Sequence, residues 1–264
     1  VDAPRLSAEL LLAHALGCDR VRLYLDFDKP LGEAELSAFR DLVRRRAGGE
    51  PAAYLTGRKE FFGRSFRVDP RVLVPRPETE LAAEAALEAL PEGGSALDLC
   101  TGSGVLAVTL ALERRAEVAA TDLSPGALEI ARQNAAALGA AVAFLEGDLD
   151  GPLPPGRTFD VVVSNPPYVP TREIDGLSRE VRREPRLALD GGPDGLALLR
   201  RIVALAPARL APGGTLVLEM HESHREALPR LCREAGFARA EARRDLAGLP
   251  RLVVATMAGG RAGA

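Results

Sequence analysis

Ser164-Asn165-Pro166-Pro167-Tyr168 puts a carboxamide, two prolines and a phenol ring into five consecutive positions. The run before it, Phe159-Asp160-Val161-Val162-Val163, has the β-branched and aromatic character of a strand. Consecutive prolines fix φ and remove two backbone donors, so the strand must stop at Asn165 and hand over to a rigid, extended turn. Such a turn gathers the Asn165 amide, the Pro166 carbonyl, which has no sheet partner, and the Tyr168 ring at a strand's carboxyl end. Open α/β sheets bind ligands there. The Asn165 side-chain oxygen and the Pro166 carbonyl can accept both N–H bonds of a planar carboxamide, with Tyr168 packing on its face. An amide nitrogen has a delocalised lone pair and is a poor nucleophile. What such a site offers it is orientation, and stabilisation of the positive charge that develops on nitrogen. A loop with turn prolines is the plain alternative reading of these residues.

Gly102-Ser103-Gly104-Val105-Leu106-Ala107 fits the G-x-G-x-x-G/A pattern, and Asp122 lies 18 residues beyond Gly104 at the end of the next expected strand. A carboxylate there accepts hydrogen bonds from both hydroxyls of a ribose, so the pair points to an adenosine-containing ligand. A nicotinamide enzyme would set a pyrophosphate on the helix N-terminus. A sulfonium methyl donor has no phosphate but carries an amino group and a carboxylate. Asp98 precedes the loop Cys100-Thr101-Gly102-Ser103-Gly104 by two residues. It can attract the ammonium, directly or through water, or orient the loop; bonding backbone N–H groups at a strand end is the plain alternative. In such sheets the fourth strand neighbours the first, which brings Asn165 beside the glycine loop, where an acceptor nitrogen meets the donor's methyl. That chemistry requires no metal, nucleophilic side chain or strong base. His14, His221 and His224 show no triad or metal-ligand pattern, and the last two read as surface residues.

The elements that must position these groups alternate. Strand 96–99, the glycine loop and a helix from Val105 to Arg114 come first; strand 118–121, ending at Asp122, and a helix capped by Ser124-Pro125 and running through Leu138 come next. Strand 142–145 ends near Asp148. After Asn165 a proline-rich insert spans Val169 to Asp194, followed by helix 196–210, strand 215–219, helix 223–235, and strands 238–243 and 251–256. Such alternation predicts a mostly parallel sheet with helices on both faces. Upstream, residues 4–16 place Leu6, Leu10, Leu11 and His14 on one helical face, with Ser7 or Asp2 as cap. Glu33 to Arg46 repeats the pattern and stops at Gly48-Gly49. Arg40, Arg44, Arg45 and Arg46 form either a solvated face or a partner-binding patch. From Phe61 to Val74 the period changes to two, and Phe62, Phe66 and Val68, with turns at Gly63-Arg64 and Asp69-Pro70, predict a β-hairpin bridging two domains. Glu78 or Thr79 then opens a helix through Leu90.

Composition sets the bounds. The 264 residues are 47% hydrophobic and 27% charged, ordinary for a soluble globular chain. A net charge of −3 argues against a protein that coats nucleic acid. No apolar run of about 18 residues suggests a membrane span, and the first residues show no signal pattern. Cys18, Cys100 and Cys232 have neither disulfide nor zinc spacing, which suits a reducing cytoplasm.

Asp98-Leu99-Cys100-Thr101-Gly102-Ser103-Gly104, Asp122 and Asn165-Pro166-Pro167-Tyr168 together resemble a class I S-adenosylmethionine-dependent methyltransferase of amino groups. The segments 49–57 (Gly-Glu-Pro-Ala-Ala-Tyr-Leu-Thr-Gly), Phe61-Phe62-Gly63 and 74–80 (Val-Pro-Arg-Pro-Glu-Thr-Glu) resemble its HemK/PrmC branch. That branch methylates N5 of the glutamine in the GGQ motif of peptide chain release factors. The resemblance implies a Rossmann-like, mostly parallel seven-stranded methyltransferase domain over 76–264. It also implies a helical substrate-recognition domain over 1–58 and a β-hairpin linker over 59–75. It implies S-adenosyl-L-methionine as methyl donor, S-adenosyl-L-homocysteine as product, no metal, and a cytoplasmic monomer whose partner is the release factor's GGQ loop rather than nucleic acid or membrane. By position, Asp98, Cys100, Thr101, Gly102, Ser103, Gly104, Asp122, Leu149 and Asn165 would contact the donor, and Asn165, Pro166, Pro167 and Tyr168 the substrate glutamine. Catalysis would fall to Asn165, Pro166 and Tyr168. Two positions depart from the family: Cys100 where glycine is common, and Leu149 where some relatives have an aromatic beside the adenine. Relatives also carry about one more helix before Val1. An adenine-N6 or other nucleic-acid amine methyltransferase shares the Asn-Pro-Pro-Tyr tetrad but calls for a basic cleft and a flipped base. A noncatalytic adenosine-binding module has no use for an acceptor clamp.

Overall fold

The computed structural model describes residues 3–259. Four helices come first: α1 (Pro4–Ala15), α2 (Arg20–Leu25), α3 (Glu33–Ala47) and α4 (Ala52–Thr56). A hairpin of β1 (Arg58–Phe61) and β2 (Arg64–Arg67) follows. Then come α5 (Glu78–Ala89), β3 (Ser95–Leu99), α6 (Val105–Arg114), β4 (Glu117–Asp122), α7 (Pro125–Leu138), β5 (Val142–Glu146) and β6 (Phe159–Ser164). The insert contains only short 3-10 turns. It leads to α8 (Ala197–Arg209), β7 (Leu210–Glu219), α9 (Ala227–Glu234), β8 (Arg239–Arg244) and β9 (Pro250–Thr256).

The main sheet has seven strands in the order β5-β4-β3-β6-β7-β9-β8, parallel except for β9, which runs against both neighbours. The chain winds outward from β3 to β5, then returns to lay β6 against β3, so the switch point lies between β3 and β6. The register is level there. Leu99 pairs with both Thr121 and Ser164, and Ser164 with Leu218. The next residues, Asp122, Cys100, Asn165 and Glu219, therefore leave four adjacent strands on one rung. The central strands are buried on both faces, which explains their continuous apolar runs. One core layer is built on Ala-rich α5 and α6, the other on α8 and α9.

Several local expectations shift. α1 buries Ser7, Leu11 and Ala13, while Leu6, Leu10 and His14 are exposed, because the other helices meet the Ser7–Leu11 line instead. Ser7 lies inside the helix and caps nothing; Pro4 starts it, and Asp2 lies outside the described residues. The hairpin falls earlier than the alternation suggests. Phe62 and Gly63, at φ 50° and 71°, form its two-residue turn, so Phe61 rather than Phe62 points inward and meets Phe66 edge-to-face at 6.0 Å. The expected basic patch divides. Arg44 and Arg45 pair with Asp41 and Glu50 at the surface, whereas Arg46 is buried and bonds Glu180 of the insert at 2.6 Å. His224 is buried rather than superficial, its Nε2 3.2 Å from the Asp194 carbonyl.

His224 and Gly195 close around the turn that follows β6. Gly195 has φ 75°, and a Cβ there would strike the Tyr168 carbonyl oxygen and lie 3.0 Å from His224 Cε1. Gly195→Ala therefore combines left-handed strain with a backbone clash and is expected to destabilise the protein by about 1–3 kcal/mol or more, read by urea unfolding. An unchanged midpoint would show that the turn yields freely.

Candidate active site

A cavity of about 580 Å³ opens at the carboxyl ends of β3, β4 and β6. Of the residues expected to bind ligands, Cys100, Thr101, Gly102, Ser103, Asp122, Leu149, Asn165 and Pro167 line it. Asp98, Gly104, Pro166 and Tyr168 do not. Asp98 is wholly buried beneath the glycine turn. Its Oδ2 accepts the Thr101 hydroxyl at 2.6 Å and the Ala107 N–H at 3.1 Å, so it orients the loop. Oδ1 has no hydrogen-bond partner among the described residues. Desolvation pushes this carboxyl up to about 7, against the opposing pull of those two hydrogen bonds. Gly104, at φ 82°, lets α6 approach α7: a Cβ there would come 3.1 Å from Ala131 Cβ.

Asp122 Oδ2 accepts the Gly102 N–H and Oδ1 the Ser124 N–H, both at 2.9 Å. Each oxygen keeps a lone pair for a further donor. Burial raises this carboxyl as well. Asn134 ties the turn to the hairpin: its Nδ2 donates to the Ser103 carbonyl at 2.8 Å, and its Oδ1 accepts the Arg67 N–H at 2.7 Å. Cys100 and Leu149 both line the cavity with φ above zero, 59° and 51°. Non-glycine residues adopt that region at a cost, and such strain gathers at ligand sites. Burial pushes the Cys100 thiol up and keeps it protonated.

Across the cavity, Asn165 Nδ2 donates to Thr79 Oγ1 at 3.1 Å. Among the described residues, neither Asn165 Oδ1 nor the Pro166 carbonyl accepts a hydrogen bond. Tyr168 turns away from the cavity; its ring packs on the α8–α9 core and its hydroxyl donates to Glu219 Oε1 at 3.1 Å. The insert supplies wall residues, including Thr171, Leu187 and Asp190. It is pinned by Glu184, a buried carboxylate that accepts from Arg76 at 2.6 Å and from the Val74 N–H at 3.0 Å. Arg182 and Arg183 stay on its exposed side, as does Arg186, which reaches Asp190 at 3.4 Å. Sequence reasoning gave Thr79 and Glu219 no part in the site. Glu219 carried a usable signal, a carboxylate at the end of a parallel strand, like Asp122.

The strand order, the glycine turn and the strand-end carboxylate define a class I methyltransferase. The methyltransferase of Pyrococcus furiosus shares the fold, with a TM-score of 0.59 at 21% identity over 83% of this chain and 99% of that one. The E. cuniculi Mtq2-Trm112 complex, responsible for methylation of the eRF1 translation termination factor, aligns with a TM-score of 0.51 and 25% identity over 71% of this chain and 99% of that one. Residues 96–185 match the methyltransferase domain family and residues 1–57 the PrmC N-terminal domain family. The release factor glutamine methyltransferase of Geobacter sulfurreducens is 46% identical over all of this chain and 91% of its own length; that of Burkholderia pseudomallei is 48% identical over 93% and 90%. This chain belongs to the release factor glutamine methyltransferase family.

The Asp98 carboxyl carries a pH signature. An unfolded aspartate titrates near about 3.9; the folded one is raised to about 7. The folded state thus holds its proton longer, and stability falls as pH rises through that window. Asp98→Asn should flatten part of that decline in the ligand-free protein, measured by urea unfolding at a series of pH values. A slope unaltered by the substitution would mean that Asp98 is ionised throughout.

Proposed function

We propose that this protein transfers the methyl group of S-adenosylmethionine to the N5 amide nitrogen of the glutamine in a release factor's GGQ motif. The observation that carries the reading is the pair of free acceptors beside the glycine turn. Asn165 gives its NH2 group to Thr79, and among the described residues nothing donates to its Oδ1 or to the Pro166 carbonyl. Pro167, joined to that carbonyl, is on the cavity wall with Asn165. Two acceptors suit the two N–H bonds of a primary carboxamide.

The residues present fit the methyl donor. The 100–104 turn, held from beneath by Asp98, suits an amino acid's charged ends, Asp122 suits a ribose diol, and Leu149 with Leu123 offers apolar walls to an adenine. The donor supplies a sulfonium-bound methyl: a C–N bond forms as the C–S bond breaks, a neutral thioether leaves, and one amide proton passes to water. Asn165 and Pro166 orient the nitrogen, and their oxygens stabilise the positive charge it acquires. Tyr168 acts from behind the turn, holding it rather than stacking on the substrate. We assign residues 1–58 to recognition of the release factor, 59–75 to the linker and 76–264 to catalysis. The match of the first helices to the PrmC N-terminal domain supports this division. The working form is taken to be a cytoplasmic monomer. No described helix is long and apolar enough to cross a membrane.

Labelled S-adenosylmethionine, incubated with a bacterial release factor, its GGQ-to-GGA variant or DNA, tests the reading. Label is expected on the release factor's glutamine alone; equal label on the GGA variant, or label on DNA, removes it. Asn165→Ala should lower kcat by about 100-fold, the scale of losing one aligned electrostatic partner. Its donor affinity by calorimetry should stay near that of the unaltered protein, and abolished affinity would make Asn165 chiefly a donor ligand.

A further inference from the structure

Glu219 is a buried carboxylate, 2% exposed, with no place in the reaction described above. It closes β7 on the same rung as Asn165. Its Oε1 accepts the Tyr168 hydroxyl at 3.1 Å, while Oε2 is buried without a hydrogen bond. The Thr79 hydroxyl, itself 2% exposed, lies beside the same carboxyl and accepts the Asn165 Nδ2–H at 3.1 Å. The charged and titratable groups facing Glu219 are Glu78 from α5, Tyr168 from the turn after β6 and Arg251 from β9.

We propose that Glu219 is a positioning residue that fixes the polarity of the Asn165 carboxamide, acting through Thr79. The reason lies in the donor count. An ionised carboxylate only accepts: Tyr168 gives its proton to Oε1, and the Thr79 hydroxyl, whose proton has no acceptor among the described residues, is the donor on hand for the unfilled Oε2. Thr79 has a single proton; once that points to Glu219, only lone pairs remain for Asn165. Asn165 must then meet Thr79 with its NH2 end and turn its oxygen to the cavity. The two ends of a carboxamide are nearly the same size, so shape alone does not choose between them. A neutral group at 219 becomes a donor itself and frees the Thr79 proton for Asn165 Oδ1. The flipped amide then presents N–H to the cavity, where it opposes the substrate's own N–H. Glu219 thereby selects a carboxamide donor over an acceptor, an inference that rests on the function proposed above. Desolvation raises this carboxyl to about 7, with Thr79 and Tyr168 pulling it down, so the switch lies within reach of ordinary assay conditions.

The test uses the full chain with unmethylated release factor, and glutamine methylation read by mass spectrometry. Wild-type kcat should rise with pH through about neutrality. Glu219→Gln should lose this limb and about tenfold or more of kcat at high pH, the worth of one misdirected hydrogen bond. KM for S-adenosylmethionine should move by less than about twofold, since the donor contacts are elsewhere. Thr79→Val should reproduce the loss, and Thr79→Ser, which restores the hydroxyl, should recover most of it. A folded Glu219→Gln protein with wild-type kcat and pH profile overturns the proposal; should that variant not fold, an undiminished kcat in Thr79→Val overturns it equally. A readout without substrate separates this inference from the proposed function. The Asn165 side-chain amide NMR signal, assigned by its loss in Asn165→Ala, should titrate near neutrality in the wild type and not in Glu219→Gln. An inactive wild type that shows this titration discards the substrate but keeps the relay; an Asn165 amide signal that does not titrate discards the relay.

Discussion

The site depends on one level of the sheet. Leu99 and Ser164 pair across parallel strands, and the Ser164 hydroxyl closes the junction by donating to the Leu99 carbonyl at 2.5 Å. Residues that follow level strand ends must emerge side by side. The glycine turn begins at Cys100 and the Asn-Pro-Pro-Tyr turn at Asn165, so the two halves of the chemistry meet without any long-range device to align them. A one-residue slip of β6 would send Asn165 to the opposite face and end the site. The valines of β6, buried on both faces, hold that register. Core packing and function are thus fixed by the same pairing.

A second constraint is the number of carboxylates withdrawn from water around this rung. Asp98, Asp122, Glu184 and Glu219 are all raised by desolvation. Each is set to hold something: Asp98 the Thr101 hydroxyl and the start of α6, Asp122 the Gly102 and Ser124 N–H groups, Glu184 the Val74 N–H and Arg76. Buried charge is unfavourable unless hydrogen-bonded, and these contacts only partly offset the burial. The molecule gives up stability at these positions for loops that stay rigid before a ligand arrives. The left-handed Cys100 and Leu149 belong to the same exchange.

The parts of the site legible in the sequence were those encoded by local chemistry. Paired prolines stop a strand wherever they fall, and a glycine turn followed by a strand-end aspartate has a limited set of uses; hence Asn165 and Asp122 stood out. The mostly parallel sheet with helices on its faces followed from alternation. What escaped notice depends on packing between distant segments. Helical spacing alone fits Leu6 and Leu10 as well as Ser7 and Leu11, and only the neighbouring helices choose between them. Two adjacent phenylalanines, Phe61 and Phe62, cannot both point inward from a strand, and the turn decides which does. Tyr168 read as a wall for substrate, yet a ring with a buried carboxylate behind it goes where its hydroxyl is satisfied. Thr79 and Glu219 gained a role only when α5 and β7 were brought against the turn.

The insert ties the helical unit, the segment before α5 and the cavity wall into one frame. Its Glu180 accepts from Arg46 of α3, a guanidinium 8% exposed on its side chain, and its Glu184 reaches Arg76 and Val74 between the hairpin and α5. The segment that walls the cavity is therefore fastened to the helical unit and to the linker at once. Surface ion pairs contribute little because solvent screens them and long side chains resist ordering. These two are different: Arg46 and Glu184 are each buried on one side of the pair, so removing the partner strands a charge. On the function proposed above, a partner gripping the helical unit would act on a body that already includes the cavity wall. On that same proposal, the approach of a glutamine-bearing loop would be set by where that body is held, with the nitrogen's final alignment left to Asn165 and Pro166.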